Sequence, residues 1–352
     1  MAEVKTLAIL VSANGFGHIR RQILIVRELM LRHKNLQTTF ALTDRQYQRF
    51  KLEIESLGEF AKASIGLTED SVRWRNDAGS YTDENLNGWE FEWEQDTNLV
   101  SSDFVISDNL VGVLKRRPDA LLSGSFLWHE VISEFSNQNE SCREFVNREI
   151  ELLKQNKPIM ICNQSLASNA VMSLTNPVGT SWMIEEINSR TPTELQQSIL
   201  VHGGGTRSLD SEVFKIASML RQEGYEVFTD LEDDKDGFDY HEDTWRKIGV
   251  VVCRPGAGTA TECVKWKIPM LVLRDKRNSE AEFNAEVLIR LGIAHELPNR
   301  QSNEDLIKFV RSVTAVESRK IFLEPFERCG RNGIVEAVNF LEDYWGLSRQ
   351  VK

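Results

Sequence analysis

TLAILVSA at residues 6–13, NGFGH at 14–18 and IRRQILIVRELMLRHK at 19–34 follow one another without a break. The first run is continuously apolar, the second supplies two glycines, and the third carries apolar residues at helical spacing. The order is therefore strand, glycine turn, amphipathic helix, which opens a Rossmann-like unit. Working outward, LQTTFALTD (36–44), DFVISDN (103–109), DALLSGSFL (119–127) and KPIMICNQ (157–164) read as further strands, with helical stretches such as 144–154 between them. Near-continuous apolar strands alternating with helices indicate a parallel sheet covered on both faces.

The pattern restarts with QSILVHGGG (197–205), a strand ending in glycines, and SLDSEVFKIASMLRQEG (208–224), a helix with a glycine stop. YEVFTDLED, GVVVCRPG, the helix TATECVKWK, the strand IPMLVL, the helix EAEFNAEVLIRLG, the strand IAHEL and terminal helices follow. The stretch between the halves, TNPVGTSWMIEEINSRTPTEL (175–195), is rich in proline, threonine, serine and glycine, as an inter-domain link is. The expected class is α/β, with two Rossmann-like, doubly wound parallel-sheet domains at 1–177 and 178–352.

The 352 residues, 41% of them hydrophobic, suffice for two packed cores. A formal net charge of −11 repels nucleic acid and anionic membrane surfaces. That sum hides opposed patches, since the first fifty residues are net basic and residues 51–100 net acidic. The five cysteines, Cys142, Cys162, Cys253, Cys263 and Cys329, show neither a CxxC pair nor a Cys/His metal spacing. They read as reduced thiols. The apolar run near the N-terminus is too short for a signal segment or a membrane span. A cytoplasmic protein is expected, with peripheral membrane contact left open.

The first glycine turn lacks the full GxGxxG spacing, and Asp44 is the only acid suitably near the end of the second strand, which argues against a dinucleotide. Its distinguishing residue is His18, at the start of a helix. The positive end of a helix dipole disfavours a protonated imidazole, which suits a base that removes a hydroxyl proton; capping of the helix is the plainer alternative. Asp108 ends the strand FVISD on the same sheet edge, where it could fix the tautomer of His18 or cap the next helix.

The second turn, His202 to Arg207, presents backbone amides and the Thr206 hydroxyl at a helix start, as a diphosphate cradle does. It lacks the lysine spacing of a P-loop. The third, Cys253 to Glu262, again runs from strand to helix, and Glu262 is placed to accept two hydrogen bonds from a ribose diol. The acidic run at 232–236 resembles a metal-binding DxD but reads as a solvated loop. Residues 51–100 carry Trp74, Trp89 and Trp93 among many acids. They form either a solvated loop or short helices stapled down by the tryptophans, or a lid over an acceptor. Trp245 and Trp266 read as packing residues.

VVVCRPGAGTATECVKWKIPMLVL (250–273) and EAEFNAEVLIRLGIA (280–294) together resemble the donor-binding signature of GT-B glycosyltransferases, particularly the family 28 type. The match runs through Arg254, Gly256, Thr259, Glu262, Pro269, Asn284, Ala285 and Gly292. SANGFGHIRR at the N-terminus resembles the GxGH turn of the same group, and residues 105–128 resemble an acceptor-domain segment of related enzymes. Similarity is strong over about 199–295 and weak over most of the rest.

The resemblance implies a GT-B fold whose domains face a central cleft, the first binding acceptor and the second binding donor. Its final helix, about 331–346, packs back on the first domain. It implies that Gly203, Gly204, Gly205, Thr206, Arg207, Arg254, Gly258 and Thr259 bind the donor diphosphate, that Glu262 binds the ribose, and that Glu280 and Asn284 contact the donor sugar. His18 is the implied general base and Asp108 the carboxylate that orients it. Asn14, Phe16, Arg20, Trp89, Trp93 and Trp128 are the acceptor-side candidates. The usual glutamine beside the sugar-contacting position is Ala281 here, which leaves the donor sugar open.

The expected activity is transfer of a hexosyl group from a nucleoside-diphosphate sugar, UDP- or dTDP-linked, to a hydroxyl or amine of a small-molecule or lipid-linked acceptor. It is expected to be inverting and metal-independent, with no cofactor beyond the donor. A nucleotide-sugar hydrolase using the same histidine, and a non-catalytic nucleotide-sugar-binding protein, are the alternatives.

Overall fold

The computed structural model describes residues 4–64, 81–185, 198–204, 208–231, 234, 236–296, 303–315 and 321–347. The chain divides into two compact units, Met1–Met183 with Arg331–Lys352, and Ile184–Gly330.

The first unit is built on a seven-stranded sheet ordered β3-β2-β1-β4-β5-β6-β7. Its strands are β1 (Lys5–Val11), β2 (Leu36–Ala41), β3 (Ala61–Ser64), β4 (Phe104–Asp108), β5 (Leu121–Ser123), β6 (Ile159–Asn163) and β7 (Asn176–Thr180). Every pairing is parallel. Side chains along a strand alternate between faces. Leu7, Ile9 and Val11 of β1 therefore join Ile19, Ile23, Val26 and Leu29 of helix α1 (Phe16–Arg32) in one core. Ala8 and Leu10 point into the other core, with Trp89, Trp93 and Leu122.

One stretch differs from its sequence expectation, and a second takes one of the forms expected of it. The segment read as an inter-domain link contributes β7, because Asn176 to Thr180 pair with β6 before the chain leaves the unit after Met183. Within the acidic, tryptophan-rich stretch, Asp83–Gln95 forms a helix, begun by a reciprocal capping box in which the Asn85 amide bonds the Thr82 hydroxyl and the Thr82 amide bonds Asn85 Oδ1. Trp89 and Trp93 are 2% and 1% exposed on its inner face. Both are core residues that staple the helix to the unit; Trp74 lies outside the described residues.

The second unit carries a five-stranded parallel sheet ordered β12-β11-β10-β8-β9. These strands are β8 (Ser198–His202), β9 (Val227–Thr229), β10 (Ile248–Cys253), β11 (Met270–Val272) and β12 (Ala294–His295). Ile199, Val201, Val250, Val252 and Leu271 meet Val213, Ala217 and Leu220 from helix Asp210–Gln222 in the core of this unit. Chain residues 333–345 form the last helix, Gly333–Trp345, whose Ala337, Val338 and Leu341 pack in the core of the first unit beside α1.

Both sheet orders place a crevice at a defined point. In a doubly wound sheet, ligands bind beyond the carboxyl ends of the strands, where the winding reverses. The first sheet reverses between β1 and β4, and the second between β8 and β10.

Candidate functional site

The β1/β4 reversal holds His18. Gly15 precedes α1 with φ at 148°, a conformation that a side chain would strain, so the turn can bring the first helical residues over the strand ends only with glycine there. Asp108 is in register with Val11 on β1 and with Ser123 on β5. His18 Nδ1 lies 2.6 Å from Asp108 Oδ1. Arg21, one turn further along α1, donates from Nη2 to both carboxylate oxygens, at 2.9 and 2.7 Å. Gln22 donates from Nε2 to Asp108 Oδ2 at 2.6 Å and to Ser123 Oγ at 2.9 Å.

Asp108 is fully buried. Burial alone would push its carboxyl up, but Arg21, His18 and Gln22 outweigh it and hold the group below its ordinary value. Beside an ionised carboxylate, Nδ1 carries the imidazole proton, and Nε2 is left with the lone pair. Trp128 stacks on the imidazole with centroids 6.4 Å apart, and Phe126 meets it edge-on at 6.3 Å. A neutral ring held in this way presents Nε2 as the acceptor, an arrangement able to take a proton from a hydroxyl or a water.

The other first-unit candidates divide. Trp128 belongs to the site through its stack on His18. Phe16 packs edge-on against Phe50 with Arg45 over its ring, Asn14 lies 3.4 Å from the Ser12 hydroxyl, and Arg20 is half-buried on α1. Trp93 lines a cavity of about 400 Å³ with Ala41, Ser64, Glu92 and Asp96, at the ends of β2 and β3.

At the second reversal, His202 ends β8 in register with Cys253 of β10, so the turn after His202 and Arg254 lie side by side. Gly204 has φ at 83°, and a Cβ built on it would sit 2.7 Å from Arg254 Nη2. The positive φ favours glycine there, and a side chain would also displace the Arg254 guanidinium. The Arg254 side chain is 10% exposed, and its Nε and Nη1 have no hydrogen-bond partner among the described residues. Buried donors of this kind normally find an acceptor. Gly258 and Thr259 lie in the first turn of the helix Ala257–Trp266, whose opening turn carries no acid. Glu262 follows on that helix, buried, with Oε2 accepting the Trp266 indole N–H at 3.2 Å. Gly205, Thr206 and Arg207 lie outside the described residues.

Asn284 is buried and bonded within the protein. It is 2% exposed, and its Nδ2 donates to the Pro255 carbonyl at 3.0 Å and to Glu280 Oε1 at 3.3 Å. It fastens the Arg254–Gly256 turn to the helix Ser279–Arg290. One pair was not anticipated from the sequence: His202 Nδ1 lies 2.6 Å from Oδ2 of Asp230, the residue that follows β9.

No known family model and no curated protein sequence matches the chain. Solved structures do resemble it in fold. The glycotransferase of kitacinnamycin superposes with a TM-score of 0.64 at 13% identity, over 97% of this chain and 99% of that one. Medicago truncatula UGT71G1 complexed with UDP-glucose gives 0.68 at 12%, over 97% and 99%. Phytolacca americana UGT2 complexed with UDP-2fluoro-glucose and pterostilbene gives 0.62 at 11%, over 97% and 100%. The chain has the GT-B fold.

At these identities the likeness is one of fold, and the two crevices carry the argument about chemistry. Among the described residues of this GT-B chain, no group of three or more His, Cys, Asp or Glu side chains could hold a metal ion, and no helix is long and apolar enough to cross a membrane. Of the acidic run at 232–236, Glu232, Asp233 and Lys235 lie outside the described residues, while Asp234 is tied to Arg221 and Thr229.

Proposed function

We propose that this chain is a glycosyltransferase that moves a hexosyl group from a nucleoside-diphosphate sugar to a hydroxyl or amine of an acceptor. The observation that carries it is the His18 Nδ1 to Asp108 Oδ1 contact of 2.6 Å at the reversal point of the first sheet. The second unit supplies the donor half, with the buried donors of Arg254 beside the glycine turn and Glu262 one helix turn beyond Gly258. Likeness to structures holding UDP-glucose, or UDP-2fluoro-glucose with pterostilbene, supports a nucleotide-sugar donor and a small-molecule acceptor.

His18 Nε2 takes the acceptor proton while the acceptor oxygen or nitrogen bonds to the anomeric carbon. The bond from that carbon to the diphosphate oxygen breaks, and its electron pair leaves with the nucleoside diphosphate. A single displacement of this kind inverts the anomeric centre. Arg254 and the backbone donors of the second unit meet the charge that develops on the leaving group, a role that needs no metal ion. The buried thiols Cys142, Cys162, Cys253 and Cys263 favour a reducing compartment and so the cytoplasm.

The test is a panel of UDP- and dTDP-sugars, each with a mixture of phenolic and sugar acceptors, with release of nucleoside diphosphate and new glycoside both measured. Transfer is expected with wild type and is expected to fall by about 10²–10⁴ in His18→Ala while nucleotide affinity is kept. Free sugar without glycoside would identify a hydrolase, and nucleotide binding without turnover on the whole panel would identify a binding protein.

A further inference from the structure

Asp230 sits where an anion would sit. Its Oδ1 accepts the amide of Gly203 at 3.2 Å, and its Oδ2 accepts the amide of Gly204 at 3.1 Å. His202 Nδ1 approaches Oδ2 to 2.6 Å. The Gly204 amide also lies 2.9 Å from His202 Nδ1, but a nitrogen that donates its proton to a carboxylate has no lone pair to accept with. The amide is therefore Asp230's. Burial would raise the Asp230 carboxyl, yet His202 and the two amides outweigh it and keep the group ionised. Two successive backbone N–H groups and an imidazole converging on one anion form the kind of nest that holds a phosphate.

A second feature of the turn is independent of the first. The Arg254 guanidinium lies against Gly204, with Nε and Nη1 unpartnered among the described residues. The carboxylate at Asp275 is 3.7 Å from Nη1 and already accepts the Ser208 hydroxyl at 2.8 Å. Cationic donors that make no hydrogen bond among the described residues, one of them ion-paired with Asp275, thus adjoin amides that are already spent on the protein. A backbone amide has one hydrogen to donate, so the Gly204 amide cannot be given in full to two anions at once.

We propose that Asp230, held by His202, is an internal competitor for the donor diphosphate: the carboxylate and a phosphate of the donor take the Gly203 and Gly204 amides in turn, and Arg254 secures the phosphate when it displaces Asp230. The inference rests on the proposal that this turn binds a nucleoside diphosphate. It adds a residue that sets donor affinity from outside the glycine-rich sequence.

Calorimetric titration of inorganic pyrophosphate and of UDP into the full chain tests it. Asp230→Ala frees both amides and removes the competing charge, so both ligands are expected to bind about tenfold or more tightly than to wild type. Asp230→Asn keeps an acceptor oxygen but not the charge, so an intermediate gain is expected, and this variant carries the test should the alanine variant fail to fold. A residue that merely ordered the turn would show the opposite, a weaker affinity with a lowered Tm. Wild-type binding with equal or weaker binding by the folded variants overturns the competitor and leaves the donor site standing. Absence of binding by wild type and both variants overturns the donor reading of the turn, and the competitor with it.

Discussion

Arg21 Nη2 contacts both oxygens of the Asp108 carboxylate, at 2.9 and 2.7 Å, while His18 and Gln22 use the remaining acceptor positions. Asp108 is fully buried, so Arg21 supplies the countercharge that lets it stay ionised. Arg21→Met leaves a buried carboxylate without that charge, and the expected loss is about 3 kcal/mol at pH 7. The pH dependence has a definite sign. A carboxyl held below its unfolded value of about 3.9 contributes stability that is present above that pH and lost as pH falls through the folded value. The unfolded chain is common to both and cancels, so the difference between wild type and variant should be largest near neutrality and shrink in acid as the buried carboxyl protonates, first in the folded variant, which lacks Arg21, and then in the folded wild type. Urea unfolding at pH 7 and in acid checks both; equal stability at pH 7 would remove Arg21 from this role.

Asp108→Asn isolates the charge from the shape. Asparagine fills the same space between Arg21, Gln22 and His18, but it cannot stabilise an imidazolium and can turn an N–H toward Nδ1. The expected result is a fall in kcat of about 10²–10⁴. Nucleotide affinity, which the proposed donor site in the second unit would govern, should not move. Initial rates and calorimetry on one preparation separate the two quantities.

Where the sequence was legible, the signal was local. An apolar run followed by a glycine turn and a helix at 3.6 spacing reveals β1 and α1 because each depends on neighbours a few residues away. His18 and Asp108 could be paired because both were assigned to the same end of parallel strands. Asp230 could not be paired with His202 in that way, since its place depends on β9 lying beside β8, an order that hydrophobic periodicity does not report. The helix Asp83–Gln95 is the reverse case. Leu86, Trp89 and Trp93 recur at helical spacing and are buried together, but the density of acids around them lets the same stretch read as a solvated loop as readily as short helices. The buried role of Asn284 had no local signal, because its partner Pro255 is 29 positions away.

Glu262 makes a prediction about nucleotides rather than rates. The Trp266 indole N–H holds Oε2 at 3.2 Å, fixing the carboxylate on its helix. If it accepts both hydroxyls of a ribose, UDP should bind more tightly than 2′-deoxyuridine diphosphate. One hydrogen bond to a charged group is worth about 1.5–3 kcal/mol, or roughly 10–100-fold. Glu262→Ala should weaken UDP by that order and abolish the preference. Competition titrations of the two nucleotides measure it, and a preference that survives in the alanine variant would take the ribose away from Glu262.

Asn284 and the donor sugar can be separated in the same manner. Its Nδ2 is committed to the Pro255 carbonyl and to Glu280, and only 2% of the residue is exposed. Asn284→Ala leaves the buried Pro255 carbonyl without this donor, at an expected cost of about 1–3 kcal/mol. Asn284→Asp should cost more, because it sets an acceptor oxygen against both the Pro255 carbonyl and the Glu280 carboxylate. Neither change removes a contact to the hexose on this account. Thermal unfolding should therefore rank wild type above Asn284→Ala above Asn284→Asp, while the ratio of kcat/KM between two UDP-hexoses stays as in wild type. A folded Asn284→Ala that loses discrimination between hexoses would return this residue to the donor-sugar site.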